Sequence, residues 1–132
     1  MLETMTIPTT VFASLLGIGL CAVPLASGSP ILACNLKAIG SAERPRYTEL
    51  MKRLRAAVHD RSELRDGYSF KLDSKSIALS EVAEWVAMER LCCPFLTFQL
   101  EASGSQIGWM LKLTGPEGVK PLLQSEFPAQ PK

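Results

Sequence analysis

The sequence predicts an α/β fold: a two-layer sandwich in which a small mixed sheet carries helices on one face, in the order β-α-β-α-β-β-α after a hydrophobic leader. Three observations predict it. Tyr68, Phe70 and Leu72 alternate with polar residues, as do Leu96, Phe98 and Leu100, and then Ile107, Trp109, Leu111 and Leu113. That is the pattern of strands with one buried and one wetted face. Tyr47, Leu50, Met51, Leu54 and Val58 recur instead at helical spacing. Turn residues separate these segments, so strands and helices alternate along the chain and pack as two layers around one core.

Taken in order, residues 1–29 read as a signal-peptide-like or anchoring segment. Val11 to Ala26 is an apolar run, with Pro24, Ala26 and Gly28 at its end and Ser29 as a candidate new N-terminus. Such a run is short for a membrane span, which needs about 20 residues, and suits an export signal. The residues before it carry Glu3 and no Lys or Arg, against the usual positive charge of such signals. Export to the periplasm or outside the cell, an uncleaved anchor, and a buried helix of a cytoplasmic protein all remain open. Membrane association is expected only through this segment. Ile31-Leu32-Ala33-Cys34 loosely resembles a lipoprotein box, but Leu32 fits it poorly and the apolar run ends too early.

Residues 30–127 form the predicted domain. Leu32 to Ala38 is assigned a short strand. Ser41 is an N-cap, Pro45 suits a first turn, and an amphipathic helix follows over 42–59. After the turn Asp66-Gly67 comes the Tyr68 strand. Ser80 is expected to cap a second helix running to Cys92, where Pro94 stops it by forcing the preceding residue out of helical geometry. Two strands around Ser103-Gly104-Ser105 make a hairpin. A turn at Gly115-Pro116-Glu117-Gly118 precedes a closing helix, Val119 to Phe127, and 128–132 is a loose tail.

Composition narrows function by exclusion. With 14 basic and 13 acidic residues in 132, the chain lacks the basic excess of a nucleic-acid binder. A domain of about 100 residues can bury a core without cross-links, so the four cysteines are not needed as staples. There is one histidine, His59, on the polar side of its helix, and neither a phosphate-binding glycine loop nor a hydrolase triad. The basic side chains of the first helix read as a solvated face with intrahelical pairs, and Trp85 and Trp109 as packing residues.

The remaining chemistry lies in Glu89-Arg90-Leu91-Cys92-Cys93-Pro94-Phe95. Projected as a helix, Leu79, Val82, Trp85, Val86, Cys92 and Cys93 share one face, and Glu89 falls inside it. Glu89 then meets Cys92 at i+3 and Cys93 at i+4, three potential ligands on one turn. Cys34 is the natural third sulfur. Cys34, Cys92, Cys93 and Glu89 together suit a soft or borderline ion such as Zn(II), Cu(I) or Hg(II). The helix C-terminus and Glu89 both oppose a thiolate, which argues against thiol catalysis. A metal ion would reverse that balance. Three other readings stay open: a non-catalytic structural or partner-binding domain with buried cysteines and Glu89 paired to an arginine such as Arg53 or Arg61, a disulfide from Cys34 to Cys92 or Cys93, and sulfur or disulfide exchange.

The stretch from Leu32 to Phe127 resembles a group of small uncharacterised bacterial proteins. The likeness is carried by Ala33-Cys34-Asn35-Leu36-Lys37-Ala38-Ile39, Asp66-Gly67-Tyr68, Glu89 to Leu96, and Leu113 to Val119. It implies one compact unit and no particular activity. The predicted element order also resembles the sulfur-carrier fold of the TusA type, which implies a working cysteine in a Cys-Pro-x-Pro motif. Here the corresponding residues are Cys34-Asn35-Leu36-Lys37, with neither proline.

Overall fold

A computed structural model describes residues 32–129. The leader, with Cys21, and the last three residues lie outside the described part. Among the described residues, no helix is long and apolar enough to cross a membrane.

The architecture is α/β in two layers. Helix α1 spans Arg44–Ala57 and α2 spans Leu79–Cys92, while α3 closes the domain at Val119–Glu126. Strands β1 (Val58–Leu64), β2 (Gly67–Leu72), β3 (Thr97–Ala102) and β4 (Trp109–Thr114) form one sheet in the order β1-β2-β4-β3. Phe70, Leu72, Leu111 and Leu113 are fully buried beneath the helices, whereas Lys71 and Gln99 on the opposite face are exposed. From the helix side, Tyr47, Leu50, Met51 and Leu54 of α1 and Val82 and Trp85 of α2 complete the core.

Three local expectations are corrected. Leu32 to Ala38 is not a strand: it is extended chain ending in a 3-10 turn at Leu36–Ala38, which the Asn35 side chain caps by accepting from the Lys37 amide. With that strand gone the sheet is antiparallel throughout rather than mixed. A strand appears instead at Val58–Leu64, where the helix was expected to continue to residue 59. Its sequence Val-His-Asp-Arg-Ser-Glu-Leu buries no residue fully, because it is the sheet edge and rests on main-chain pairing with β2. Hence it shows no apolar alternation.

Glycines at two places let the strands close up. A Cβ on Gly67 would run into the Leu113 carbonyl of β4, and Gly108 enters β4 with φ 101°, a left-handed value. Ile107, expected to point inward, precedes the strand and is 90% exposed.

Helix starts differ from the expected caps. Neither Ser41 nor Ser80 supplies one: α1 begins after Glu43 without a side-chain cap, with Pro45 in its first turn as expected. In α2, Glu81 reaches back to accept from the Ala78 amide at 3.0 Å. The basic side chains of α1 pair between helices rather than within one. Arg46 binds Glu84 through both carboxylate oxygens, Arg53 pairs with Glu81, and Arg55 with Glu126 of α3. These exposed or half-exposed pairs orient the helices more than they stabilise them.

Candidate metal centre

The α2 face predicted from periodicity is the buried one. Val82, Trp85, Glu89 and Cys92 are its buried residues, and Glu89 is only 4% exposed. Helical geometry ends at Cys92, and Cys93 takes the cap position, its amide donating to the Glu89 carbonyl at 2.7 Å. The bend brought by Pro94 thus leaves two adjacent cysteines buried at one helix end.

Cys34 arrives from the extended segment before the 3-10 turn. The Asn35 amide donates to the Cys92 carbonyl at 2.9 Å, docking this segment on the end of α2. The structure pairs Cys34 with Cys93 in a disulfide, across a Cα–Cα distance of 4.8 Å, and leaves Cys92 as a buried free thiol. The sulfurs of Cys34, Cys92 and Cys93 all lie within 4.8 Å of one another. With its ends 59 positions apart, the bond removes roughly 4 kcal/mol of unfolded-chain entropy on the loop-closure account.

Glu89 does not take an arginine partner. Arg53 is engaged with Glu81, and Arg61 lies over the Tyr68 ring and donates to the Phe127 carbonyl. Its partner is Tyr47 of α1, whose hydroxyl donates to Glu89 Oε2 at 2.6 Å. The other oxygen, Oε1, is 3.1 Å from Cys93 Sγ. Burial pushes the Glu89 carboxyl above its ordinary range, the Glu126 charge adds to this, and Tyr47 and Arg55 oppose it. The disulfide sulfur has no proton to give, so of these two contacts only the one from Tyr47 is a hydrogen bond to the carboxylate. Burial, then the Glu89 carboxylate, likewise raises the Tyr47 hydroxyl.

Cys92 is the only free thiol among the described residues. Burial, then the charges of Glu89 and Glu126, push its pKa up to about 11, against a weaker opposing contact from the Asn35 amide. Among the described residues no cation stabilises it as a thiolate, as its place at a helix C-terminus leads one to expect.

The cluster opens into a cavity of about 570 Å³ between α1, α2, α3 and the Cys34 segment. Cys34, Cys92, Tyr47 and Glu89 contribute to its lining, and Arg55 and Glu126 also border it. Sequence patterning on α2 put Glu89, Cys92 and Cys93 together, and Cys34, expected in a first strand that does not form, reaches the other two sulfurs from extended chain instead. Patterning missed Tyr47, which reads as one more core residue of α1. The available signal was the buried carboxylate itself, which requires a donor from a facing element.

Comparison with known protein families, with curated proteins and with solved structures finds no match to this chain.

Proposed function

We propose that the reduced chain binds a soft metal ion, with Cys34, Cys92 and Cys93 as thiolate ligands and Glu89 as the fourth group. The observation that carries this reading is the convergence of three sulfurs, from positions 59 residues apart, within 4.8 Å of one another beside an open cavity. Metal–sulfur bonds of about 2.3 Å in a tetrahedral set place the sulfurs about 3.8 Å apart. Opening the disulfide and separating its two sulfurs by about 2 Å brings the cluster to that spacing. Soft thiolate sets of this kind favour Cu(I), Zn(II) or Hg(II). The metal supplies the positive charge that the surroundings of Cys92 lack.

A second reading has its own support. In the Cys34–Cys93 bonded form the cysteines act as a clasp tying the N-terminal segment to α2. Export, the expectation drawn from the apolar run Val11 to Ala26, would favour this form. Sulfur transfer by Cys92 is less well supported, since its thiol is buried and raised rather than activated.

The test is metal uptake by the full chain, reduced and oxidised, with Cys92→Ser/Cys93→Ser alongside. Stoichiometric binding of Hg(II) or Cu(I) by the reduced chain alone, lost in the double variant, is the expected result. Undiminished uptake by the double variant would sink the reading.

A further inference from the structure

Two of the three sulfurs, those of Cys34 and Cys92, belong to residues lining the cavity, whereas Cys93 does not line it. The space beside them is far larger than a bare ion needs. At about 570 Å³ it falls within the roughly 300–1,000 Å³ range of small-molecule sites, while one water occupies about 30 Å³. Its walls are largely apolar. Leu32, Leu36, Met51 and Leu122 line it, with the Tyr47 side chain beside them. Charged groups border it too, and two of these, Arg55 and Glu126, are engaged with each other at 2.6 Å. Thiols beside an apolar chamber define a ligand with one thiophilic centre and one hydrocarbon part.

We infer that the site, besides the bare ion, takes an organo-substituted soft metal cation, one carrying a single small aryl group. This rests on the thiolate reading above and specifies its ligand. The metal would sit at Cys34 and Cys92 with Cys93 behind, and the ring would fill the space between Leu36, Met51 and Leu122. Binding is a ligand exchange without redox change. In the reduced chain a Cys92 or Cys34 S–H bond breaks and a sulfur–metal bond forms. The proton and the displaced chloride leave to solvent, and the metal–carbon bond is untouched. The Cys34–Cys93 disulfide must first be opened by a dithiol reductant, which takes up the oxidation as its own disulfide.

The test titrates the full chain, reduced with a dithiol that is then removed, with mercury(II) chloride, methylmercury chloride and phenylmercury chloride. Excess glutathione competes throughout, and the bound species is read by mass spectrometry under non-denaturing conditions. Referring retention to glutathione cancels the general affinity of mercury for thiols. Phenylmercury should be held at least about tenfold more tightly than methylmercury, from burial of the ring. Leu122→Trp, and separately Leu36→Trp at a position 53% exposed and so tolerant of substitution, should remove that preference while leaving mercury(II) uptake unchanged. Equal retention of the two organomercurials, or a preference that survives both substitutions, would overturn the inference alone. Failure to hold mercury(II) as well would overturn the thiolate reading and the inference with it.

Discussion

Tyr47 and Glu89, 42 residues apart on two different helices, meet in a buried 2.6 Å hydrogen bond beside the cysteine cluster. The contact accounts for a carboxyl placed on an apolar helix face, since it gives Glu89 Oε2 a donor from the facing helix. It also ties α1 to the end of α2 that carries the sulfurs.

Removing that donor should be costly. Tyr47→Phe keeps the ring and strands one oxygen of Glu89 in the interior, so unfolding free energy should fall by about 1–3 kcal/mol. Denaturant unfolding checks it, through a lower midpoint at unchanged slope. An unaltered midpoint would mean that Glu89 finds another donor.

The Cys92 thiol should be slow to alkylate at neutral pH. With its pKa raised to about 11, the thiolate is scarce at pH 7, and its rate should climb roughly tenfold per pH unit until that value is approached. Iodoacetamide labelling of the oxidised chain from pH 7 to 10, with the product mapped to Cys92, measures this. A plateau near neutrality would show an activated thiol and favour exchange chemistry.

Acid should weaken the domain through carboxylates outside the site. The Ala78 amide, with Arg53 and Arg46, holds Glu81 below its ordinary 4.5; Arg46 does the same for Glu84. The Lys75 amide and Ser76 hydroxyl hold Asp73 below 3.8. Each carboxyl is more acidic folded than unfolded, so the unfolded chain binds more protons in this range. The stabilisation is therefore complete above the unfolded values and is lost as pH falls through the folded ones. Through these three carboxyls melting temperature should decline below about pH 5, while the raised Glu89 carboxyl acts in the opposite sense, its contribution being lost as pH rises from the unfolded value through the folded one. Glu81→Gln should decline less steeply; an identical acid limb would assign the loss to other groups.

Much of this architecture was legible from local pattern. Tyr68, Phe70 and Leu72 alternate because a strand turns successive side chains to opposite faces, and the same rule exposed β3 and β4. The edge strand β1 was not legible, because Val58–Leu64 buries no residue fully and leaves no apolar trace. Its one signal was Asp66-Gly67, a turn between two strands that was read as preceding only one. The Leu32–Ala38 strand failed for the opposite reason. Apolar residues were present, but the segment docks on the end of α2 through Asn35 instead of joining the sheet.

For the site the division is similar. The 3.6-residue period of a helix by itself put Glu89, Cys92 and Cys93 on one face, and Pro94 set where that helix ends. Periodicity relates residues a few positions apart and carries no information on which distant segment packs against them. Only the tertiary structure decided that Cys34 bonds to Cys93 and leaves Cys92 free, that Tyr47 rather than an arginine meets Glu89, and that a cavity opens beside the sulfurs. Those outcomes depend on how α1, α3 and the N-terminal segment pack around α2, and long-range packing of this kind leaves no mark on local spacing.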